Sequence, residues 1–363
     1  MGKNPFLDSD IAEIARLLGP HAHAFSGKTV VLTGSEGFIG IYLCALFQHL
    51  SDKVLDKPVR VLAFDNFISS AVTPEAMPRH SCVVFQRHDV NRSMLVEEPV
   101  HYVLHAAGVA SPVWYRTKPL ETLDVSTVGT RNMLELARIH GAAYLQMSSS
   151  EIYGDPDPRH VPTSENYHGN VSCRGPRACY DEGKRMAETL CWIYHECFGV
   201  HVVVVRPFNV YGPGLRERDY RVLPSFASRI KAGVPLFVYG AGKQTRTFCY
   251  VVDAVAGFLL AMVRGVAGEV YNIGNPDPEI SMEDLARRVQ RLLGDRVQYV
   301  LKDYPDGYPS NEPQRRCPDI AKAHLHLGYQ PVVDFDEGLR RFFQWTDETY
   351  TGGADPSTVL GER

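Results

Sequence analysis

Tyr180 and Lys184 are the residue pair in this chain that most directly suggests chemistry. They lie four positions apart in a predicted helix, so both side chains project from one face. A phenol with a pKa of about 10 is a poor base at neutral pH, but a neighbouring ammonium group favours the phenolate. The pair could therefore remove a proton from a hydroxyl group while a hydride leaves the same carbon. A Tyr and a Lys at this spacing are also common as a simple surface pair.

More polar residues follow a predicted strand, in the run Ser148-Ser149-Ser150-Glu151. Ser149 supplies a hydroxyl that can share a hydrogen bond with the phenol of Tyr180. Glu151 adds a carboxylate, a group that active sites often tune for proton transfer or charge stabilisation. The alternative is that Glu151 only caps the turn that contains Tyr153.

Three glycines, Gly34, Gly37 and Gly40, follow the strand TVVLT and open a second helix. Glycines at this spacing let the backbone approach a pyrophosphate, which then lies at the positive end of the helix. Asp65 ends the next strand, 25 residues after Gly40, where a carboxylate can bind both hydroxyls of an adenosine ribose. Because such an acid repels a 2′-phosphate, NAD is predicted in preference to NADP.

The following strand ends complete the predicted cofactor site. Asp89 could reach the adenine amino group, and the small residues Ala106 and Ala107 allow close approach of the cofactor. The alternative is an α/β domain that has lost its ligand. The predicted cofactor-binding residues are Gly34, Gly37, Phe38, Ile39, Gly40, Asp65, Asn66, Asp89, Val90, Ala106, Ala107, Tyr180 and Lys184.

The elements that position these residues alternate between apolar strands and amphipathic helices from Lys28 onward. This pattern predicts an α/β fold: a Rossmann-type doubly wound parallel sheet with a smaller C-terminal α/β substrate-binding cap. A short N-terminal helix, capped by Asp8, Ser9 or Asp10, is predicted with Ile11, Ile14, Leu17 and Leu18 on one face. The predicted division is 1–27 N-terminal helical extension, 28–213 cofactor domain with some later segments, 214–350 mainly cap, and 351–363 mobile tail.

Composition limits the classes of partner. Lys plus Arg number 38 and Asp plus Glu number 42 among 363 residues, a net charge of -4 that gives no reason to expect nucleic acid or an anionic membrane. Eight cysteines without a C-x-x-C pair are expected to be buried or partly buried free thiols in a reducing compartment. His21 and His23 could suggest a metal site, but no predicted helix carries an H-x-x-x-H pair, so no metal is predicted. A cytoplasmic location is expected.

Four segments resemble those of the extended short-chain dehydrogenase/reductases that act on nucleotide sugars, in particular the UDP-glucuronate decarboxylases of that family. The segments are GPRACYDEGKR, SSSEIYGDP, GAGKQTRTFCYVVD and RRCPDI. The resemblance implies a homodimer, formed through a helix bundle that includes the Tyr180 helix, and a UDP-sugar substrate. The catalytic residues that it implies are Ser149, Glu151, Tyr180, Lys184 and Arg316. The substrate-binding residues are Ser111, Tyr115, Glu151, Asn209, Arg246 and Arg316.

The expected reaction is oxidation at C4 by NAD, loss of carbon dioxide from the resulting β-keto acid, protonation at C5 and re-reduction at C4. The same residues would serve a UDP-sugar 4-epimerase, which stays as an alternative. A 4,6-dehydratase is disfavoured because Ser150 stands where that group has Asp. A non-catalytic NAD-binding protein is a remote alternative. Departures from the decarboxylase pattern are Ser126 in place of Asn, Gly214 in place of Arg and Cys317 in place of Lys.

Overall fold

Fourteen strands are present in the computed structural model, which describes residues 5–68, 80–294, 297–304 and 313–353. In chain order they are β1 (Thr29–Thr33), β2 (Arg60–Asp65), β3 (Val83–Arg87), β4 (Tyr102–His105), β5 (Ala143–Met147), β6 (Val202–Pro207), β7 (Val210–Tyr211), β8 (Leu236–Tyr239), β9 (Thr245–Arg246), β10 (Cys249–Tyr250), β11 (Val270–Ile273), β12 (Ile280–Ser281), β13 (Tyr299–Lys302) and β14 (Arg315–Arg316).

Eleven α-helices are found in the same described ranges. They are α1 (Leu7–Leu18), α2 (Phe38–Lys53), α3 (Pro112–Thr117), α4 (Pro119–Asp124), α5 (Thr130–His140), α6 (Ala178–Phe198), α7 (Val222–Lys231), α8 (Val251–Arg264), α9 (Met282–Leu293), α10 (Ala321–Leu327) and α11 (Phe335–Thr349). None of the helices in these ranges is both long and apolar enough to cross a membrane.

The central sheet has seven parallel strands in the order β3-β2-β1-β4-β5-β6-β11. Strand β1, an inner strand between β2 and β4, is fully buried, as the continuous apolar run TVVLT predicts. Val30 and Leu32 point into the core beneath α2 and α8, whereas Val31 points into a second core beneath α5 and α6. Helices therefore cover both faces, and the predicted doubly wound architecture is confirmed.

Some of the residues after Pro213 belong to the central sheet and its covering helices. Helix α8 packs against α1 and α2, and β11 pairs with β6 as the seventh strand. The remaining C-terminal strands form small sheets: the parallel pair β8 and β13, the pair β7 and β10, and the three-stranded order β12-β9-β14. In the last of these, Arg316 lies directly beside Arg246 in register.

Helix α1 is a buried part of the main core. Ile11, Ile14 and Leu18 pack there as predicted. The predicted cap is wrong, because the helix starts after Phe6, whose side chain makes no capping hydrogen bond. Asp10 is buried inside the helix instead, where its carboxylate accepts hydrogen bonds from the Tyr42 hydroxyl at 2.9 Å and the Tyr250 hydroxyl at 3.0 Å.

Arg341 of α11 completes the surroundings of Asp10, because its Nη1 donates to the Asp10 carboxylate at 3.0 Å. The first and last helices of the described chain thus share one buried carboxylate. Most of the tail predicted to be mobile, residues 354–363, lies outside the described residues. All eight cysteines are free thiols, but Cys173 and Cys197 are exposed, contrary to the expected burial.

Candidate active site

Helix α6 carries both residues of the predicted Tyr-Lys pair into the protein. The side chains of Tyr180 and Lys184 are buried, and the Lys184 ammonium lies 5.8 Å from the centre of the Tyr180 ring. The Lys184 Nζ donates to the carbonyl of Met147, the last residue of β5, at 2.7 Å. This hydrogen bond fixes the start of α6 against the carboxyl end of the central sheet.

Burial changes the protonation of both groups. It lowers the pKa of Lys184 to about 8 and raises the pKa of Tyr180 to about 12, although a hydrogen bond from Ser149 opposes the second shift. The expected lowering of the Tyr180 pKa by Lys184 is therefore not observed with the protein groups alone. Without a further positive charge beside it, Tyr180 is a proton donor at neutral pH.

Ser149, directly after β5, organises the turn that carries Glu151. Its hydroxyl accepts a hydrogen bond from the Glu151 amide at 3.2 Å and caps the short 3₁₀ helix Ser150–Tyr153. The alternative in which the Glu151 side chain caps this turn is wrong, because Ser149 makes that contact. The Glu151 carboxylate is instead directed toward arginines.

Glu151 is held between two guanidinium groups. Arg316 Nη1 and Nη2 donate to its two carboxylate oxygens at 2.6 and 2.7 Å, and Arg177 Nη2 contacts the Oε2 atom. Burial would raise the pKa of Glu151, but Arg177, Arg316 and Arg246 outweigh burial and lower it to about 2. Glu151 is consequently ionised throughout the neutral range.

Arg177 and Asp181 belong to the same cluster and were not predicted as site residues. Arg177 precedes α6, and its Nε lies 3.4 Å from the Asp181 carboxylate one helical turn later. Burial and the charge of Glu151 raise the pKa of Asp181 to about 7. Their charges in the segment GPRACYDEGKR were the only signal in the sequence, and nothing there indicated which carboxylates Arg177 would contact.

The predicted substrate residues surround this cluster. Tyr115 stacks on Tyr180 with ring centres 5.6 Å apart and an angle of 20°. Arg246 is buried next to Arg316 on β9, and the Asn209 side chain donates to the carbonyl of Thr247 at 2.8 Å. Helix α3, the residues between β6 and β7, and the strands β9 and β14 are distant in the chain, and they bring these polar residues to one region.

The loop after β7 also reaches the site, although sequence reasoning assigned it no role. The predicted substrate residue Ser111 donates from its hydroxyl to the carbonyl of Asp219 at 2.7 Å. Asp219 forms an ion pair with Arg221, whose positive charge is close enough to Tyr180 to lower the pKa of that phenol. The loop thus adds a guanidinium to the region near Tyr180.

The glycine turn lies at the carboxyl end of β1. A Cβ atom on Gly34 would be 2.7 Å from the backbone of Ala106, and one on Gly40 would be 2.2 Å from the carbonyl oxygen of Gly34. Only glycine fits either position. The predicted residues Phe38 and Ile39 form the first turn of α2, with Gly37 before them.

This turn has space and polarity that fit a dinucleotide. The Ser35 hydroxyl is buried without a hydrogen-bond partner within the described part of the chain. Such an atom next to a helix N-terminus and a glycine turn suits a pyrophosphate oxygen. Ala107, predicted here, also contacts Gly34 closely, as its nitrogen would be 2.7 Å from an added Cβ atom.

The predicted adenosine-binding residues follow β2 and β3. The Asp65 carboxylate accepts from the amides of Glu36 at 3.0 Å and Phe67 at 2.7 Å. Asn66 and Asp89 each accept a hydrogen bond from the amide two residues later, and Val90 is buried. The carboxylates therefore stabilise their own loops and are already oriented by the backbone.

Glu36 and Arg216 were missed at the adenosine end. Burial and the charge of Asp65 raise the pKa of Glu36 to about 7. Arg216 Nη2 donates to the Glu36 carbonyl at 2.7 Å, so the loop after β7 crosses the glycine turn. A side chain at Gly214 would contact the ring of Phe38 at 3.4 Å, and Arg216 supplies a guanidinium two residues further along.

Known proteins similar to this chain match it over most of its length. The chain is 41% identical over 317 residues to "UDP-glucuronic acid decarboxylase 1" of Xenopus tropicalis, covering 86% of this chain and 71% of that protein. It is 39% identical over 317 residues to "UDP-glucuronic acid decarboxylase 6" of Arabidopsis thaliana, covering 86% and 87%.

Solved structures and family models agree on the fold. An epimerase from Methanothermobacter thermautotrophicus superposes with a TM-score of 0.76 at 26% identity, covering 95% of this chain and 96% of that one. The model of the NAD dependent epimerase/dehydratase family matches residues 30–274, which include the glycine turn and the Tyr-Lys pair. This chain therefore belongs to the NAD dependent epimerase/dehydratase family.

Proposed function

We propose that the protein converts UDP-glucuronate to UDP-xylose and carbon dioxide, using NAD that is regenerated in each cycle. The observation that carries this proposal is the ionised Glu151, held by arginines next to the buried Tyr180. Relatives about 40% identical over most of the chain, named UDP-glucuronic acid decarboxylases, support the substrate and the reaction.

Each protein group has a defined task in the proposed reaction. Tyr180 takes the proton of the C4 hydroxyl and later returns it, and Ser149 orients the phenol through their hydrogen bond. Lys184 places its ammonium 5.8 Å from the centre of the phenol ring and needs a second positive charge beside it to favour the phenolate. Bound NAD would supply a hydride acceptor, later a hydride donor, at C4, and its positive nicotinamide ring would supply that second charge.

Glu151 and Arg316 act at the neighbouring carbon. Because Glu151 is ionised, it cannot supply a proton itself and serves to position groups next to C5. Arg316 holds Glu151 in place through two hydrogen bonds. The electron pair left by carbon dioxide is delocalised into the C4 carbonyl, and C5 then takes up a proton from solvent, so no metal is required in this mechanism.

The two binding regions are proposed from the same geometry. We assign NAD to Gly34, Gly37, Phe38, Ile39, Gly40, Asp65, Asn66, Asp89, Val90, Ala106, Ala107, Tyr180 and Lys184. We assign the UDP-sugar to Ser111, Tyr115, Glu151, Asn209, Arg246 and Arg316, with Arg246 on the diphosphate. Residues 28–213 then form most of the cofactor domain and residues 214–350 most of the cap.

We also propose a cytoplasmic homodimer. Met186 and Cys197 on α6 are exposed, and Leu190 and Ile193 lie between them on the same face at helical spacing. Exposed Leu120 and Ile139 on the adjoining α4 and α5 extend this apolar surface. Met186→Arg should yield a monomer by light scattering, and an unchanged mass would contradict a dimer formed through this helix bundle.

The cytoplasmic location is proposed from the cysteines. The eight free thiols support a reducing compartment.

The reaction is tested by incubating the purified protein with UDP-glucuronate and NAD and following products by mass. Release of carbon dioxide with a UDP-pentose is the expected result. An isomer of unchanged mass would instead identify a 4-epimerase. Recovery of only substrate, with NAD bound, would support a non-catalytic protein.

A further inference from the structure

Arg177 stands out among the groups near Glu151 because the proposed mechanism gives it no task. It reaches the Oε2 atom of Glu151 through Nη2, and its Nε faces Asp181 at 3.4 Å. Its side chain keeps 17% of its surface accessible, compared with 8% for Arg316. Arg177 therefore lies at the open side of the cluster and Arg316 at the closed side.

A uronate substrate creates an electrostatic difficulty at this place. Its C6 carboxylate is attached to C5, which the proposed function places next to Glu151. Two carboxylates brought together in a poorly solvated site repel each other, and Glu151 is ionised in the substrate-free protein. A cation must lie between them.

The two arginines differ in how readily they could fill this position. Arg316 uses both Nη atoms for the two oxygens of Glu151, at 2.6 and 2.7 Å. These two hydrogen bonds form the Arg316 fork. Removing it would leave the buried carboxylate of Glu151 with a much weaker partner, at a large cost in free energy. Arg177 gives Glu151 a contact from one Nη atom, so a shift toward another carboxylate leaves the Arg316 fork intact.

Asp181 makes Arg177 suitable for such a shift. It lies four residues later on the first turns of α6 and faces the Nε atom, which anchors the inner edge of the guanidinium. The outer edge can then turn between Glu151 and an arriving anion. A planar guanidinium anchored in this way presents paired N–H groups, the geometry that recognises carboxylates.

We infer that Arg177 recognises the C6 carboxylate of a uronate substrate, and that Glu151 occupies this carboxylate's place on Arg177 until the substrate arrives. The inference rests on the proposed function, since it assumes a nucleotide uronate beside Glu151. Arg177 is then the residue by which the site selects an acidic sugar over the neutral sugar of the same nucleotide.

The test measures binding in a Tyr180→Phe background, where no turnover consumes the ligand. Calorimetry with NAD-loaded protein compares UDP-glucuronate, UDP-glucose and UDP. Arg177→Met should weaken UDP-glucuronate binding by about 10- to 100-fold, the loss typical of a charge-assisted hydrogen bond, while changing the other two less than about 3-fold. Arg177→Lys should give a smaller loss with the same selectivity, and it covers the case in which Arg177→Met does not fold.

Arg174→Met is the matched control, because Arg174 is exposed three residues earlier in the same loop. It should bind all three ligands like the parent. Equal weakening of UDP-glucuronate and UDP-glucose by the Arg177 variants, or no weakening, would overturn the inference, as would a parent that binds the two sugars equally. Absence of carbon dioxide release by the wild-type enzyme would refute only the proposed reaction, since selective uronate binding would persist.

Discussion

Arg316 and Glu151 are separated by 165 residues and are joined by two hydrogen bonds of 2.6 and 2.7 Å. This pair connects the turn after β5 in the central sheet with β14 in the small C-terminal sheet. The charge state of Glu151 therefore depends on correct docking of the C-terminal segment. A displacement of β14 would remove the fork and raise the pKa of Glu151.

Tyr180→Phe tests the proton transfer. Removing the phenolic oxygen should lower turnover of UDP-glucuronate by at least about 1000-fold, because Tyr180 is the group proposed to accept the C4 proton. NAD binding and the melting temperature should change little. Tyr194→Phe on the same helix is the control and should keep full activity, since the hydroxyl of Tyr194 donates to Glu135, at 3.4 Å, and neither residue is assigned to the site. Near-normal turnover by Tyr180→Phe would refute the assigned role.

Glu151→Gln tests the role of the ionised carboxylate. The amide keeps the shape of the side chain but removes the negative charge that faces Arg316 and Arg177, so carbon dioxide release should fall by about 100-fold or more. Release is measured with substrate labelled in the carboxylate. Glu182→Gln, which alters a half-exposed glutamate paired with Arg185 at 3.6 Å, is the control. Full release by Glu151→Gln would show that the carboxylate has no part at C5.

Asp181 should make stability depend on pH. Its pKa in the folded protein is raised from 3.8 to about 7, so its favourable contribution is present in acid and is lost as pH rises through 7. Asp181→Asn does not titrate. Its free energy of unfolding relative to wild type should therefore rise by roughly 2 to 3 kcal/mol between about pH 5 and pH 8.

Denaturant unfolding at the two pH values measures this change. Glu182→Gln, altered at the next residue of α6, serves as the control and should show no comparable pH-dependent gain. A difference between Asp181→Asn and wild type that stays constant over this range would contradict the raised pKa.

Asp10→Ala tests the docking of α1. It leaves Arg341 and the hydroxyls of Tyr42 and Tyr250 without their shared buried acceptor, so unfolding should become easier by about 3 kcal/mol. Asp8→Ala changes an exposed carboxylate on the same helix and should alter stability by less than about 1 kcal/mol. Equal effects of the two substitutions in thermal unfolding would argue against a structural role of the buried carboxylate.

The central fold was predictable because its signals are local. The apolar run in β1 and the helical spacing in α6 each reflect burial of neighbouring residues, and both elements are found. Strands β9 and β14 have two residues each, too few to show any alternation. The fork between Arg316 and Glu151 depends on these short strands, so its geometry could not be read from the sequence.

Burial of charge was the other feature that the sequence did not reveal. Asp10 in a helix-starting segment is typical of a cap, and only the arrival of Tyr42, Tyr250 and Arg341 makes burial of its carboxylate acceptable. Like Asp10, Arg177 and Asp181 are charged groups whose partners are set by tertiary packing. Residue type indicated that these groups were polar, and the fold determined what they contact.

The contact between Asp10 and Arg341 also orders events during synthesis. Because 331 residues separate the two, Asp10 leaves the ribosome long before its guanidinium partner has been translated. The first helix can therefore gain this ion pair only after almost the whole polypeptide has emerged. A nascent chain interrupted before α11 lacks this closing contact, and the hydroxyls of Tyr42 and Tyr250 are then the partners available to Asp10.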